Sequence, residues 1–236
     1  MKKVFAIIPA RSGSKQLKEK NIRSLNGRPL LAYSVSFAKQ LGVDRIICST
    51  DSEHFAEIAK ACGAEVPFLR SERAAADDAM EHHVLEDLHK KFLEYGWDTP
   101  DLLVWLRPTF VFRDRKAVLH GIDVMKNDSS YSSARIIVEA EARLYKISAE
   151  NSLEPAFETG GKSMIRRQDM DRHYRVYNTD IIRFSKDNLG EDFLGDRVYP
   201  VVADKLCGID IDDETDFRLV ESLVLNATHF VKEYMW

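Results

Sequence analysis

The stretch Val4-Phe5-Ala6-Ile7-Ile8-Pro9-Ala10-Arg11-Ser12-Gly13-Ser14-Lys15 passes without a spacer from an unbroken apolar run to a basic, hydroxyl-rich loop. An apolar run without alternation marks a strand covered on both faces, as in parallel sheets. The start Met1-Lys2-Lys3 before this run has the look of a leader, but the apolar part is short and stops at Pro9 and Arg11, so a first strand is expected. Helix and strand patterns alternate from there. Pro29 to Ala38 reads as an amphipathic helix ending near Gly42, Arg45 to Thr50 as a second strand, and Asp51-Ser52-Glu53 as the start of a helix through Ala61. Gly63 stops that helix, Ala64 to Pro67 reads as a short strand, Ala79 to Tyr95 as a long helix, and Leu102 to Leu106 as a further buried strand. This order predicts an α/β fold around a mostly parallel sheet, whose ligands belong at the carboxyl ends of its strands.

The pattern loosens after Ser133. Arg135 to Lys146 and Pro155 to Arg175 are polar and irregular, with Gly160-Gly161 between them. Regular character returns at Tyr177 to Phe184, at Val198 to Val202, and at Gly208-Ile209-Asp210-Ile211, before a helix from Glu214 to Asn226. The expected organisation is an α/β core over residues 1–134, an inserted region over 135–192, and a return to the core over 193–236.

Composition narrows the classes. The 236 residues are 44% hydrophobic and 31% charged, enough to bury one core without disulfides. Thirty-four Lys and Arg against 38 Asp and Glu leave a net charge of -4, which supplies no general basic field for nucleic acid. No apolar run approaches the ~20 residues of a membrane span. Three scattered cysteines (Cys48, Cys62, Cys207) make neither a disulfide framework nor a metal knuckle, and a reducing, cytoplasmic setting is expected.

Two places carry chemistry. The loop after the first strand holds Arg11, Ser12, Gly13, Ser14 and Lys15, with Lys18, Lys20, Asn21 and Arg23 close behind. Backbone amides, hydroxyls and cations of this kind can cradle a polyphosphate, although neither GxxxxGK[ST] nor GxGxxG is present. The second place is Asp210 and Asp212, two apart on an expected strand, so that both carboxylates share one face. Paired carboxylates repel unless a cation lies between them, and oxygen ligands suit Mg²⁺ together with substrate phosphates. Asp213, Glu214 and Asp216 are accounted for by the helix start that follows.

The opening Ile7-Ile8-Pro9-Ala10-Arg11-Ser12-Gly13-Ser14-Lys15, with Lys20-Asn21-Ile22 and Asn26-Gly27-Arg28-Pro29-Leu30, resembles the acylneuraminate cytidylyltransferases, the CMP-sialic acid synthetases and their relatives. The likeness recurs at Ser49-Thr50-Asp51-Ser52, at Gly63 to Arg70, at Leu106-Arg107-Pro108-Thr109 and at Ile209-Asp210-Ile211-Asp212. Tyr145-Lys146, Arg167-Gln168 and Asn178 match more weakly. The resemblance implies a Rossmann-like nucleotidyltransferase sheet with an inserted dimerisation arm, and transfer of CMP from CTP to a carboxylated, sialic-acid-like ulosonic acid. It also implies that Arg11, Ser14, Lys15, Lys20 and Asn21 bind the nucleotide, that Arg70 and Arg107 contact substrate, and that Lys15 and Asp212 are catalytic. Asp210 and Asp212 would hold Mg²⁺, while Lys146, Arg167 and Gln168 would meet the sugar, in part across a homodimer. A Kdo-like sugar, another nucleotide, or a silent nucleotide-binding subunit stay open as alternatives.

The sequence also departs from the family pattern. Arg107 stands where the family commonly has Gln, and its fork can grip a carboxylate or phosphate or pair with an acidic neighbour. Asn178-Thr179 replaces the usual Asn-Gly. His82, His83 and His89 lack HExxH spacing and read as helix-face residues, while Phe110 and Phe112 read as packing residues.

Overall fold

The expected first strand is β1 (Val4–Pro9), one strand in from the edge of a seven-stranded sheet in a computed structural model that describes residues 2–14, 17–141, 143–157, 166–176, 178–185 and 192–236. After it come β2 (Ser24–Leu25), β3 (Arg28–Pro29), α1 (Leu30–Leu41), β4 (Arg45–Ser49), α2 (Glu53–Cys62), α3 (Glu72–Ala75), α4 (Glu81–Glu94) and β5 (Leu102–Leu106). Then follow α5 (Arg115–Asn127), β6 (Ser133–Glu139), β7 (Tyr145–Ile147), β8 (Leu153–Pro155), β9 (Tyr174–Arg175), β10 (Thr179–Arg183), β11 (Val198–Ala203), α6 (Glu214–Leu225) and α7 (His229–Lys232).

The main sheet runs β11-β6-β10-β5-β1-β4, with β9 beside β6. β1 is parallel to β4 and β5, and β11 to β6, whereas β10 is antiparallel to both of its neighbours. The sheet is thus mainly parallel, with β10 reversed at its centre and the short β9 reversed beside β6.

The unbroken apolar run of β1 has its cause in two coverings. Val4, Ala6 and Ile8 pack with Leu31 and Val35 of α1 and Val118 and Ile122 of α5. Phe5 and Ile7 face the opposite way, onto Val84, Leu85, Leu88 and Phe92 of α4. The helix ends follow local chemistry: Ser52 accepts the Phe55 N–H at the start of α2, and Gly42 closes α1 at φ +66°.

Several elements differ from the sequence reading. Helix α5 has no counterpart in it, because Gly121 interrupts a helical pattern of modest strength. A Cβ on Gly121 would stand 2.8 Å from Ile181 Cδ1, so the glycine is what lets α5 lie close on β10. The strand expected over Ala64 to Pro67 is a single bridge of Glu65 to Ile47, since Pro67 has no N–H to extend a ladder. Residues 133–139, 174–175 and 179–183 belong to the sheet as β6, β9 and β10, so among the described residues of 135–192 the separate β7–β8 hairpin is the element that stands off it. The strand expected at Gly208 to Ile211 is instead the end of a 3-10 turn (Lys205–Gly208) and an unladdered extended segment.

Candidate functional site

A cavity of about 540 Å³ opens at the carboxyl ends of β1 and β5, the edge where a parallel sheet receives ligands. Arg11, Ser14, Lys20, Asn21, Arg70 and Arg107, six of the residues singled out in the sequence, line it. Lys15 lies outside the described residues.

The loop after β1 is held by its own chemistry. Ser12 donates its N–H and hydroxyl to Asp51 at 2.8 and 2.7 Å, which ties the loop to the end of β4. Asn21, 7% exposed, donates to the Arg11 carbonyl at 2.9 Å. Arg11 reaches the Ala76 carbonyl at 3.2 Å and Asp77 at 3.8 Å, and so connects the loop to the segment before α4. Gly13 is exposed, and a Cβ there would meet nothing within 4 Å. Arg70 donates to Ser49 Oγ at 2.8 Å, keeps Nη2 buried without a partner, and is drawn by burial down to about 10.

Arg107 pairs with acidic neighbours while it lines the cavity. It donates to Asp180 at 2.9 Å and to Glu81 at 3.2 Å. Asp180, fully buried on β10, also takes Arg135 at 2.6 Å. Burial pulls the Arg107 guanidinium down, but Asp180 and Glu81 outweigh it and hold the group above its ordinary range. Arg113, fully buried, donates to the Arg107 carbonyl at 2.6 Å and supports the turn through Pro108 and Thr109. Burial draws Arg113 down to about 9.

Asp210 and Asp212 sit beside this cavity rather than in its wall. Ile211 donates its N–H to the Thr109 carbonyl at 3.2 Å and buries its side chain, leaving the flanking acids directed away from the core. Asp210 Oδ1 is buried without a partner, and burial raises this carboxyl, against a hydrogen bond from Thr109, with Asp212 adding to the rise. Asp212 accepts Lys20 Nζ at 3.3 Å. Asp213 caps α6 through the Thr215 and Asp216 N–H groups, and Asp216 accepts from Asp212 and Asp213, as the helix-start reading expects. Oxygen donors, one of them unpaired, fit a hard divalent cation shared with phosphates.

The arm residues lie elsewhere within this chain. Lys146 is on the exposed β7–β8 hairpin, paired with Glu154 at 3.4 Å, and Gln168 is exposed in the short turn Arg167–Asp169. Asn178 is buried, donating to the Phe112 and Cys207 carbonyls at 3.0 and 2.6 Å, and so fixes the start of β10. Phe110 and Phe112 are core residues, and His82, His83 and His89 lie on α4. Cys48 is buried and its thiol pushed up to about 12.

Glu81, Trp105, Asp180 and Arg113 were not singled out as site residues in the sequence. Asp180 carries a legible signal, a lone acid within the apolar Thr179-Asp180-Ile181-Ile182, because a charge buried there demands a cationic partner.

A family model described as cytidylyltransferase matches residues 5–154. The chain is 39% identical over 125 residues, 52% of its length, to the CMP-N,N'-diacetyllegionaminic acid synthase of Legionella pneumophila, of which the match spans 53%. It is 28% identical over 99% of its length to the whole of the post-translational flagellin modification protein B of Campylobacter coli. It is 29% identical over 92% of its length to 95% of the pseudaminic acid cytidylyltransferase of Campylobacter jejuni strain 81-176. The structure of CMP:2-keto-3-deoxy-manno-octonic acid synthetase complexed with CTP is similar in fold, with a TM-score of 0.69 at 16% identity over 96% of this chain and 100% of that one. A model match over more than half of the sequence, on a fold shared with such a synthetase, leads to one conclusion: the chain belongs to the cytidylyltransferase family.

Proposed function

We propose that the chain joins the CMP moiety of CTP to a nonulosonic acid and releases pyrophosphate. The observation that carries this reading is the cavity that gathers Arg11, Ser14, Lys20, Asn21, Arg70 and Arg107 at the sheet edge with Asp210 and Asp212 beside it. The relatives named for legionaminic and pseudaminic acids support the sugar class.

In this reading the anomeric hydroxyl of the sugar attacks the α-phosphorus in line, and the bond to pyrophosphate breaks as the new ester forms. Arg11, Lys20 and the Ser14 hydroxyl hold the triphosphate, with Lys15 expected in the same cradle. Arg11 and Lys20 exchange Ala76 and Asp212 for phosphate oxygens when the nucleotide arrives. Asn21 fixes the loop and Arg70 grips the nucleoside end with its spare Nη2 donor. Holding both substrates in one cavity supplies orientation, a large part of the rate. Asp210 and Asp212 are the residues that would hold Mg²⁺, which when bound supplies charge neutralisation at the phosphates and eases ionisation of the hydroxyl.

The exposed hairpin supports a homodimer. Ile147 and Leu153 are 74% and 66% exposed, and a two-stranded hairpin alone has little stability. Covered by a second copy, this arm would carry Lys146, Arg167 and Gln168 toward a neighbouring site. No helix among the described residues is long and apolar enough to cross a membrane, and three cysteines outside any disulfide support a cytoplasmic setting. A screen of nucleoside triphosphates against nonulosonic and Kdo-like acids, with pyrophosphate measured, tests the function. Release with CTP and a nonulosonic acid is expected, and binding without release would make the chain a silent subunit.

A further inference from the structure

One end of the cavity is built for a neutral group. Glu81, the first residue of α4, keeps its side chain one-third exposed while accepting from Arg107 at 3.2 Å. Arg107 also meets Asp180, whose second oxygen takes Arg135, so its charge is opposed by two carboxylates. A sugar carboxylate placed against Arg107 here would meet the like charge of Glu81 with Asp180 behind it. Trp105, on β5 two residues before Arg107 and on the face that packs toward α4, is 1% exposed, lines the same cavity, and has an Nε1–H without a partner among the described residues. A buried donor left unpaired is unfavourable, and a ligand that brings an acceptor relieves it. Met80 and Val84 complete this end with apolar wall.

An acceptor, an unused donor and an apolar wall match an amide N–H, an amide carbonyl and an acyl tail. We propose that Glu81 and Trp105 form a subsite for an acylamino substituent of the sugar and determine the preference for sugars that carry one. Glu81 accepts the amide N–H, Trp105 Nε1 donates to the carbonyl, and the acyl tail packs on Met80 and Val84. A hydroxyl in the same place satisfies one partner at most. This inference rests on the nonulosonic acid reading above.

The test compares kcat/KM, with CTP, for two nonulosonic acids that differ only in bearing an acylamino group or a hydroxyl at one carbon. Wild type should favour the acylamino sugar. That preference should fall about fivefold or more in both Trp105→Phe and Glu81→Ala, which remove the donor and the acceptor, as loss of one hydrogen bond at about 1 kcal/mol implies. An unchanged preference in either folded variant overturns the subsite. So does a change confined to CTP against its 2′-deoxy counterpart, which would place Glu81 at the ribose. If Trp105→Phe fails to fold, Glu81→Ala, at a helix start, decides alone. A wild type that turns over both sugars without preference overturns the subsite only. One that releases no pyrophosphate with any nonulosonic acid overturns the functional reading as well.

Discussion

The nucleotide edge and the arm are built from opposite materials. At the edge, β1, β4 and β5 are covered on both faces, and their following loops are pinned by Ser12 to Asp51, Asn21 to Arg11 and Arg70 to Ser49. The arm's β7–β8 hairpin stands off the main sheet with strands of three residues and exposes Leu144, Ile147 and Leu153. A site that must hold a triphosphate needs fixed donors and one chain supplies them. A site that must close over a variable sugar can borrow its roof from a second copy. On the proposed function, the difference assigns the two substrates to different levels of structure, tertiary for the nucleotide and, where a second copy covers the arm, quaternary in part for the sugar.

The largest effect should come from the joint between the two regions. Asp180 sits on β10, between edge and arm, and alone serves two arginines from a fully buried position. Asp180→Asn leaves buried guanidinium charge poorly compensated and should cost about 3–5 kcal/mol. Thermal unfolding should drop by roughly 10 °C for a chain of this size. A melting point near wild type would mean that edge and arm are joined by something else.

Next is the acidic pair. Asp210→Asn and Asp212→Asn should each lower turnover on the order of 10²–10³-fold, the scale of losing charge stabilisation at a reacting centre. Chelation should do the same and added Mg²⁺ should reverse it. Burial raises the Asp210 carboxyl, so its ionised form opposes folding and stability falls as pH rises through the ordinary carboxylate range. Asp210→Asn should therefore melt no lower than wild type at neutral pH, and a large loss of stability would return the pair to a structural role.

A smaller effect is expected at Lys20, whose ammonium lies at the cavity and meets Asp212. Lys20→Ala should weaken CTP by about 1.5–3 kcal/mol, the worth of a charged hydrogen bond, and leave melting little changed. An unaltered KM for CTP would contradict the cradle.

The smallest change in intrinsic stability belongs to the arm. Ile147→Asp with Leu153→Asp touches exposed positions and should alter the stability of the single chain by no more than about 0.5 kcal/mol. Sedimentation should nonetheless move from dimer to monomer. A monomeric wild type with full activity would remove the quaternary half of the comparison.

What the sequence makes legible follows the same division. β1, α1, β4, α2, α4 and β5 are written in local terms, as apolar runs, Ser52 as a cap, and Gly42 and Gly63 as stops, so their order and type were readable. The cavity lining was readable through Arg11, Ser14, Lys20, Asn21, Arg70 and Arg107, because basic and hydroxyl groups after a strand have few other uses. The reversal of β10 was not, since strand direction is set by partners far away in sequence. Glu81 and Trp105 were hidden for the same reason. One reads as an ordinary helix start and the other as one more residue in an apolar strand, until Arg107 and Asp180 bring them together. Asp210 stood out by spacing, yet its segment owes its path to the Thr109 carbonyl rather than to a ladder.

The central claim is that this cavity carries out the transfer of CMP to a nonulosonic acid. Phosphorus NMR of CTP, Mg²⁺, an acylamino nonulosonic acid and the protein tests it most directly. The account predicts loss of the triphosphate signals with matched growth of pyrophosphate and one sugar phosphodiester. Unchanged CTP signals, or CMP and pyrophosphate without the phosphodiester, would contradict it.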